Sequence, residues 1–514
     1  MFRAALLIAG LTAAVFTAVA QPVRPQPAAR IYGDLLRLRT MTRVLYVAAH
    51  PDDENTRLLS WLATGRHFRT AYLSITRGDG GQNIIGSEQG APLGLIRTYE
   101  LLEARKLDGA EQYFARAIDF GFSKNPQETF RQWDSIVLIA DVVRTIRRFR
   151  PDVVICRFPK DSMAGHGQHS ASAILTEHAI DYINGTLELS AAEATTLREL
   201  VEGTPEWRPT RLLFNAFRFG NRSTVREGMF KLDVGHYDPL IGMGYGELAG
   251  ISRSIHRSQG AGTPSTPGIQ PEYFATLRGP EPRTSLFDGI DTTWTRVGRP
   301  DIGAAIDSVI ASFDMKQPER SLAALFRIRR MIRTVQDVAW REMKLQEVES
   351  IIRDCMGLSV DVTTSAGLAL AGDSVRTTLR VTVRSGTVAS LTSARWPDGT
   401  ERTGMRLPHD SLVTADVTMR IPETTSISEP YWLRTDADGT VFRFANESRT
   451  ERYDLPDRAP ELRVLVSIAV GTDTISREVP VSKKKLDPLR GDVIEALRIV
   501  PHVSVEPVRP VETG

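Results

Sequence analysis

Between residues 43 and 158 the hydrophobic pattern switches repeatedly between short unbroken apolar runs and helical periodicity. The runs "RVLYVAA" (43–49), "RTAYLSIT" (69–76), "RAIDFGF" (116–122) and "DVVICRF" (152–158) are rich in strand formers and too short for helices. They predict strands covered on both faces. "ENTRLLSWLATG", "LIRTYELLEARKLDGA" and "SIVLIADVVRTIRRFRP" read as helices, the first with Leu58, Leu59 and Leu62 on one face and Gly65 as its stop. This alternation predicts an α/β fold with a Rossmann-like, mostly parallel sheet and helices on both faces. In such sheets a ligand lies beyond the carboxyl ends of the strands. His50, the loop after Thr76 and the loop after Phe158 all fall there.

Outside this region the pattern differs. "RIYGDLLRLRT" is a short helical pattern in a Pro-containing lead-in, and "RLLFNAFRFG" and "FKLDVGHYD" read as later strands. "ELAGISRSIHRSQG" reads as a helix ending in a flexible loop, and residues 300–356 as two charged amphipathic helices in a packed hairpin. After Leu358 come "SVDVTT", "SVRTTLRVTVRSG", "LVTADVTMRIP", "TVFRFA" and "ELRVLVSIAVG". These short alternating runs split by turn residues predict an antiparallel β-sandwich. The last stretch is Pro-rich and charged and reads as a tail or linker. The expected organisation is a leader at 1–20, the α/β domain at 21–299, a helical connector at 300–356, the sandwich at 357–482 and the tail at 483–514.

Composition narrows the function classes. The 514-residue chain has 25% charged residues and a net charge of +2, which gives no pull toward nucleic acid or anionic membrane. Two cysteines exclude a disulfide framework and a Cys-rich zinc site, and Cys156, inside an apolar strand, reads as core. Met1-Phe2-Arg3, an apolar stretch and Ala18-Val19-Ala20 form the pattern of a secretory signal peptide. The expected location is therefore periplasmic or extracellular, with no transmembrane anchor after cleavage.

The first apolar run stops at His50-Pro51-Asp52-Asp53-Glu54. Carboxylates this close repel unless a cation or a proton sits between them. His50 and Asp53 are three apart at a strand-to-helix turn, so both can face one ion. A hydrolytic zinc site needs about three protein ligands and an open position. The best source of a third is "DSMAGHGQHSAS", where His166 and His169 are again three apart. One of the two would bind metal and the other would hydrogen-bond an oxyanion. Asp52 would take a proton from a water on the metal. The plainer reading is that Asp52, Asp53 and Glu54 complement a helix N-terminus and that the histidines are ordinary loop residues. Two such segments at one sheet edge favour the metal site. Arg97 and Glu100 form a candidate bracing ion pair. Arg253 and His256 are candidates for contact with a polar or anionic substrate.

With "AAHPDDE" after one strand and H-x-x-H after another, the chain resembles the PIG-L/LmbE family of zinc-dependent N-deacetylases. "TRGDGGQN" is similar to that family's "TRGEGGQN", "RTYELLEARKLDGA" to its R-x-x-E helix, and "SRSIHRSQG" to a segment of its larger exported members. The likeness spans roughly residues 42–260. It implies removal of an acetyl group from N-acetylglucosamine-type sugars or conjugates, with one Zn2+ per chain, other divalent ions being possible ligands. It implies His50, Asp53 and His169 as ligands, Asp52 as general base and His166 as the oxyanion partner. Asp79, with Arg97 a candidate for substrate contact, stands where the family more often has glutamate. Many members read H-P-D-H where this chain has Gln168, which implies a His166 that prefers the neutral state and a proton delivered by Asp52. Rival expectations are an amidase for a non-sugar acylated amine, and a glycan-binding protein that keeps the fold without turnover.

Overall fold

A computed structural model describes residues 25–503 apart from 220–221, 436–438, 440, 445–451, 453 and 490. The expected leader at 1–20 and the end of the tail lie outside the described residues. Two compact units divide the chain. One joins Thr40–Thr293 to Pro430–Asp457. The other holds the described residues up to Arg39, Trp294–Glu429 and those from Arg458 onward.

The first unit is built on a seven-stranded sheet. β1 (Arg43–Ala48), β2 (Arg69–Thr76), β3 (Glu111–Ala117), β4 (Val153–Cys156) and β5 (Arg211–Ala216) lie in the order β3-β2-β1-β4-β5, all parallel. Strand Pro271–Arg278 then pairs antiparallel with β5, and Phe230–Asp233 with that strand. Alternate β1 residues enter two separate cores. Leu45 and Val47 meet Leu73, Ile75 and Val154 on one face, and Val44 and Tyr46 meet Tyr72, Phe114 and Ile155 on the other. Helices Ser135–Phe149 and Gly167–Asn184 bring apolar residues to the first face. α2 (Thr56–Ser60) brings Leu58 and Leu59 to the second. That two-sided cover is why the strands read as unbroken apolar runs.

The sequence pattern misplaces some boundaries. β3 starts and ends earlier than "RAIDFGF" suggests, and past its end the Asp119 side chain accepts from the Gly121 N–H in a turn outside the sheet. The described residues of "TVFRFA", 441–444, join no sandwich strand. Val441 instead bridges Ala117 of β3, and the Phe442 N–H donates to the Arg116 carbonyl at 2.9 Å. β3 is the outer strand of the parallel run, and its edge groups would otherwise lack partners. Other residues of the Pro430–Asp457 stretch pack on Arg77, whose guanidinium lies 3.4 Å from the Trp432 ring centre and 4.3 Å from that of Phe114 in β3. It also donates to the Leu455 and Pro456 carbonyls.

The second unit takes in α1 (Ala28–Arg39), which was expected with the α/β domain. The carbonyls of its last turn explain this: Trp294 Nε1 donates to Leu38 and Lys344 Nζ to Arg37, both at 3.1 Å. Between residues 300 and 356 there are three α-helices, Pro300–Ser312, Leu322–Ile332 and Val338–Cys355, where two were expected. Pro318 and the capping Asp337 punctuate the run. An eight-stranded sheet follows, in which strand Asp473–Asp487 pairs with Arg463–Val470 along its first half and with Leu358–Thr364 along its second. Strand residues 483–487 and 491–496, expected in a tail, are part of this sheet. Gly491–Ala496 pairs antiparallel with Ser482–Asp487. Their charges face outward on a hairpin, with Lys484 and Asp492 paired across it at 2.7 Å, which is why composition resembled a linker. Among the described residues no helix is long and apolar enough to cross a membrane.

Candidate active site

The carboxyl ends of the neighbouring strands β3, β2, β1 and β4 bring four loops together. β1 delivers the His50–Glu54 turn. The Tyr72 hydroxyl donates to the His50 carbonyl at 2.5 Å, and Asp53 Oδ2 accepts from the His50 N–H at 2.7 Å. Asn55 caps α2 by accepting from the Leu58 N–H, so Asn55, rather than a carboxylate, does the capping. The loop after β4 enters the helix Gly167–Asn184 with His166 as its cap. A side chain at Gly167 would meet the Asn125 carbonyl at 2.4 Å, and one at Gly80 the Asp119 carbonyl at 2.3 Å. Glycine at both positions lets the loops after β2, β3 and β4 approach this closely.

His50, Asp53 and His169 each offer one donor atom, and these lie within 4.8 Å of one another. His50 Nδ1 is 3.1 Å from Asp53 Oδ2, and His169 Nε2 is 3.4 Å from Asp53 Oδ1. The outer nitrogens are already engaged. His169 Nδ1 is 3.0 Å from the Ala164 carbonyl, and the ring stacks on Phe158 at 3.9 Å. His50 Nε2 is 2.7 Å from Gln168 Oε1. In the neutral form that binds a metal, each imidazole therefore donates outward and turns its lone pair inward. Two imidazoles and one carboxylate make a donor set that fits zinc or a similar divalent ion.

The electrostatics carry the same signature. Burial would lower the His50 pKa, but the Asp53 and Asp119 carboxylates overcome it and raise it to about 9. Burial works against ionisation of Asp53 too, yet His169 and His50 hold its pKa well below the usual carboxylate range. A proton on His50 occupies the place where a cation would balance these acids.

Asp52 points elsewhere. Its φ of 90° is in the left-handed region, a strained value for a residue with a side chain. Arg97 holds it there, with Nη2 2.9 Å from Asp52 Oδ1 and 2.6 Å from the Pro51 carbonyl, and Nη1 3.0 Å from the Gly78 carbonyl. Burial raises the Asp52 pKa against the pull of Arg97. His166 Nδ1 accepts from the Gln168 N–H at 3.1 Å, which leaves Nε2–H as a free-standing donor. Burial and the neighbouring His50 and His169 lower its pKa to about 4, so it is neutral near pH 7. Phe122, exposed beside it, sets its ring edge-on 5.1 Å from the His166 ring.

Other expected residues lie in different company. Arg97 pairs with Asp52 and not with Glu100, whose carboxylate accepts from the Ser258 N–H and hydroxyl. His256 is only 1% exposed, and its Nε2 is 3.0 Å from Glu54 Oε1, which removes it from any surface a substrate can touch. Arg253 donates to the Asp52 carbonyl at 2.5 Å and braces the turn. Asp79 is buried against Asp119, whose N–H it accepts at 3.3 Å. Gln168, expected to influence His166 through its side chain, directs that side chain to His50 instead. Sequence reasoning missed Asp119 altogether, because it lay inside a predicted strand. Its signal was its place at the end of a β-run neighbouring those that lead to His50 and Asp79.

Residues 45–180 match the family model described as PIG-L: GlcNAc-PI de-N-acetylase. That span is a PIG-L family domain, and it contains every ligand candidate, Asp52 and His166. No curated protein sequence matches the chain. Among solved structures, N,N'-diacetylchitobiose deacetylase from Pyrococcus horikoshii is similar at 19% identity and a TM-score of 0.31, over 42% of this chain and 70% of that one. GalB, the 4-carboxy-2-hydroxymuconate hydratase from Pseudomonas putida KT2440, is similar at 15% identity and a TM-score of 0.30, over 48% of this chain and all of that one. At these scores neither likeness bears on activity.

Proposed function

We propose that this PIG-L domain is a zinc-dependent N-deacetylase that hydrolyses the acetamide of an N-acetylglucosamine-type sugar or glycoconjugate. The observation that carries the reading is the convergence of His50, Asp53 and His169 donor atoms beside Asp52 and His166, inside the span that matches a de-N-acetylase family. His50, Asp53 and His169 would hold the ion, which when bound supplies Lewis acidity to an amide carbonyl and a water.

The chain's own groups account for the proton movements. Asp52, fixed by Arg97, accepts a proton as water oxygen bonds to the carbonyl carbon. His166 Nε2–H donates a hydrogen bond to the oxyanion that forms. A histidine whose pKa is about 4 is a poor proton carrier at neutral pH but a good fixed donor. The proton taken by Asp52 therefore goes to the nitrogen as the C–N bond breaks, which leaves acetate and a free amine. The raised Asp52 pKa suits a carboxyl that must carry that proton.

The test is release of acetate and free amine from N-acetylglucosamine, its short oligomers and N-acetylated alkylamines, with added Zn2+ and after chelation. Cleavage of sugars that stops on chelation is expected. Cleavage confined to alkylamides would replace the sugar with a non-sugar amine, and sugar binding without any cleavage would leave a glycan-binding protein. We also propose, from Met1–Ala20, that the protein is exported to the periplasm or beyond. N-terminal sequencing of the secreted form should begin near Gln21.

A further inference from the structure

Gln168 and Asp119 sit behind the ligand cluster, where nothing in the proposed chemistry uses them. Gln168 is fully buried, and the Asp119 side chain is 4% exposed. Gln168 Nε2 is 2.8 Å from the Gly121 carbonyl and 3.2 Å from Asp119 Oδ1. Both of those oxygens can only accept, so the nitrogen end of the amide must face them. The oxygen end is then forced toward His50 Nε2, 2.7 Å away. An amide oxygen only accepts, so the proton on the His50 ring must sit on Nε2. In the neutral ring, the form that binds a metal, Nδ1 is then left with its lone pair toward Asp53.

We propose that Asp119 is a positioning residue for the metal ligand His50, acting through the side-chain amide of Gln168. In the common arrangement a carboxylate or backbone carbonyl touches the outer nitrogen of a metal-bound histidine directly. Here an amide stands between carboxylate and ring. Asp119 fixes which way the amide points, and its charge polarises the amide so that the oxygen facing His50 is a stronger acceptor. Asp119 Oδ2 is 3.9 Å from His50 Nε2, too far for a hydrogen bond of its own. The amide therefore carries the coupling. This also gives Gln168 its purpose: a shorter side chain at that position would have a different reach to the ring.

The inference rests on the proposed metal centre, and a double-mutant cycle on Zn2+ affinity separates the two. Affinity is measured by chelator competition on the full chain. Asp119→Asn keeps the accepting oxygen and removes the charge, and should weaken Zn2+ binding about 10-fold, the lower end of outer-shell effects. Gln168→Met cuts the relay and should weaken it by at least as much. In the Gln168→Met background, Asp119→Asn should cost less than about 2-fold. Undiminished affinity in Asp119→Asn overturns the proposal, as does an equal loss in both backgrounds, which would make Asp119 a structural residue. Failure of the unaltered protein to take up any Zn2+ would instead overturn the metal centre and this inference with it. A variant-free measurement makes the same demand should Asp119→Asn not fold. In 15N-histidine spectra of the Zn2+-loaded protein, His50 should carry metal on Nδ1 and a proton on Nε2; metal on Nε2 overturns the relay.

Discussion

Asp53 and Glu54 are adjacent in the chain, the first partly and the second fully buried, and both held ionised, yet they belong to different kinds of cluster. Glu54 is enclosed by permanent partners. Arg105 Nη2 is 3.0 Å from its Oε1 and 2.5 Å from Asp108 Oδ2, His256 Nε2 is 3.0 Å from the same Oε1, Oε2 accepts from the Asp52 N–H, and the Ser252 hydroxyl reaches Asp108 at 3.2 Å. Despite burial, Arg105 and His256 keep the Glu54 pKa below the ordinary carboxylate range. Asp53 has no arginine or lysine in contact among the described residues, only two histidines whose proton can be lost. A buried acid with a fixed cation is finished as structure. One that relies on titrating neighbours has room for a removable cation, and this is how a site differs from a brace.

The sharpest break of that comparison is Asp53→Asn. Zn2+ affinity should fall more than ~100-fold, beyond the range of outer-shell changes, and turnover should go with it. Metal content after dialysis, read beside acetate release, checks this. A protein that keeps its metal would return Asp53 to the structural class. Asp52→Ala separates the turn further: turnover should drop by about 10²–10⁴-fold with metal content unchanged. Unaltered turnover would sink the role of Asp52 as base.

Glu54→Gln should behave in the opposite way. It leaves Arg105 with one carboxylate fewer in a buried network, at a cost of about 3 kcal/mol in urea unfolding. Metal content per folded molecule should stay constant, and kcat should change far less than for Asp52→Ala. A stability loss below about 0.5 kcal/mol would show that Arg105 finds enough in Asp108 alone.

How far these roles were legible follows from the same contrast. The parallel core was readable because strands β1 and β4 are apolar at nearly every position, and only burial on both faces demands that. His50, Asp53 and His169 were readable because a polar cluster at the end of such a strand has no other support. Glu54 was not separable from its neighbours, since its partners Arg105 and His256 lie 51 and 202 residues away. The expected capping role failed for a local reason, Asn55 being the better-placed acceptor. Residues 440–445 alternate like a sandwich strand, and nothing local says that Val441 pairs with β3. The charged end of the chain looked like a tail because outward-facing side chains on a hairpin have the composition of a linker. Apart from the cap, in each miss the deciding partner was distant in sequence or the signal was composition alone.

Asp79 completes the comparison as the acid that is given a proton. Burial and the adjacent Asp119 raise its pKa from 3.8 to about 7, with Arg77 too weak a counterweight. The native protein thus holds this proton at a pH where the unfolded chain has released it. Between about pH 4 and 7 the native state binds more protons, so stability falls as pH rises, by up to about 1.4 kcal/mol per unit from this group. Asp79→Asn keeps the shape and cannot ionise. It should remove that component of the slope, measured by urea unfolding from pH 4.5 to 7.5, and make the protein relatively more stable at the upper end. Because Asp79 is turned toward Asp119 and buried, KM for an N-acetyl sugar should shift by less than about 3-fold. A larger shift with an unchanged pH slope would move Asp79 back to the substrate, where its place in "TRGDGGQN" first put it.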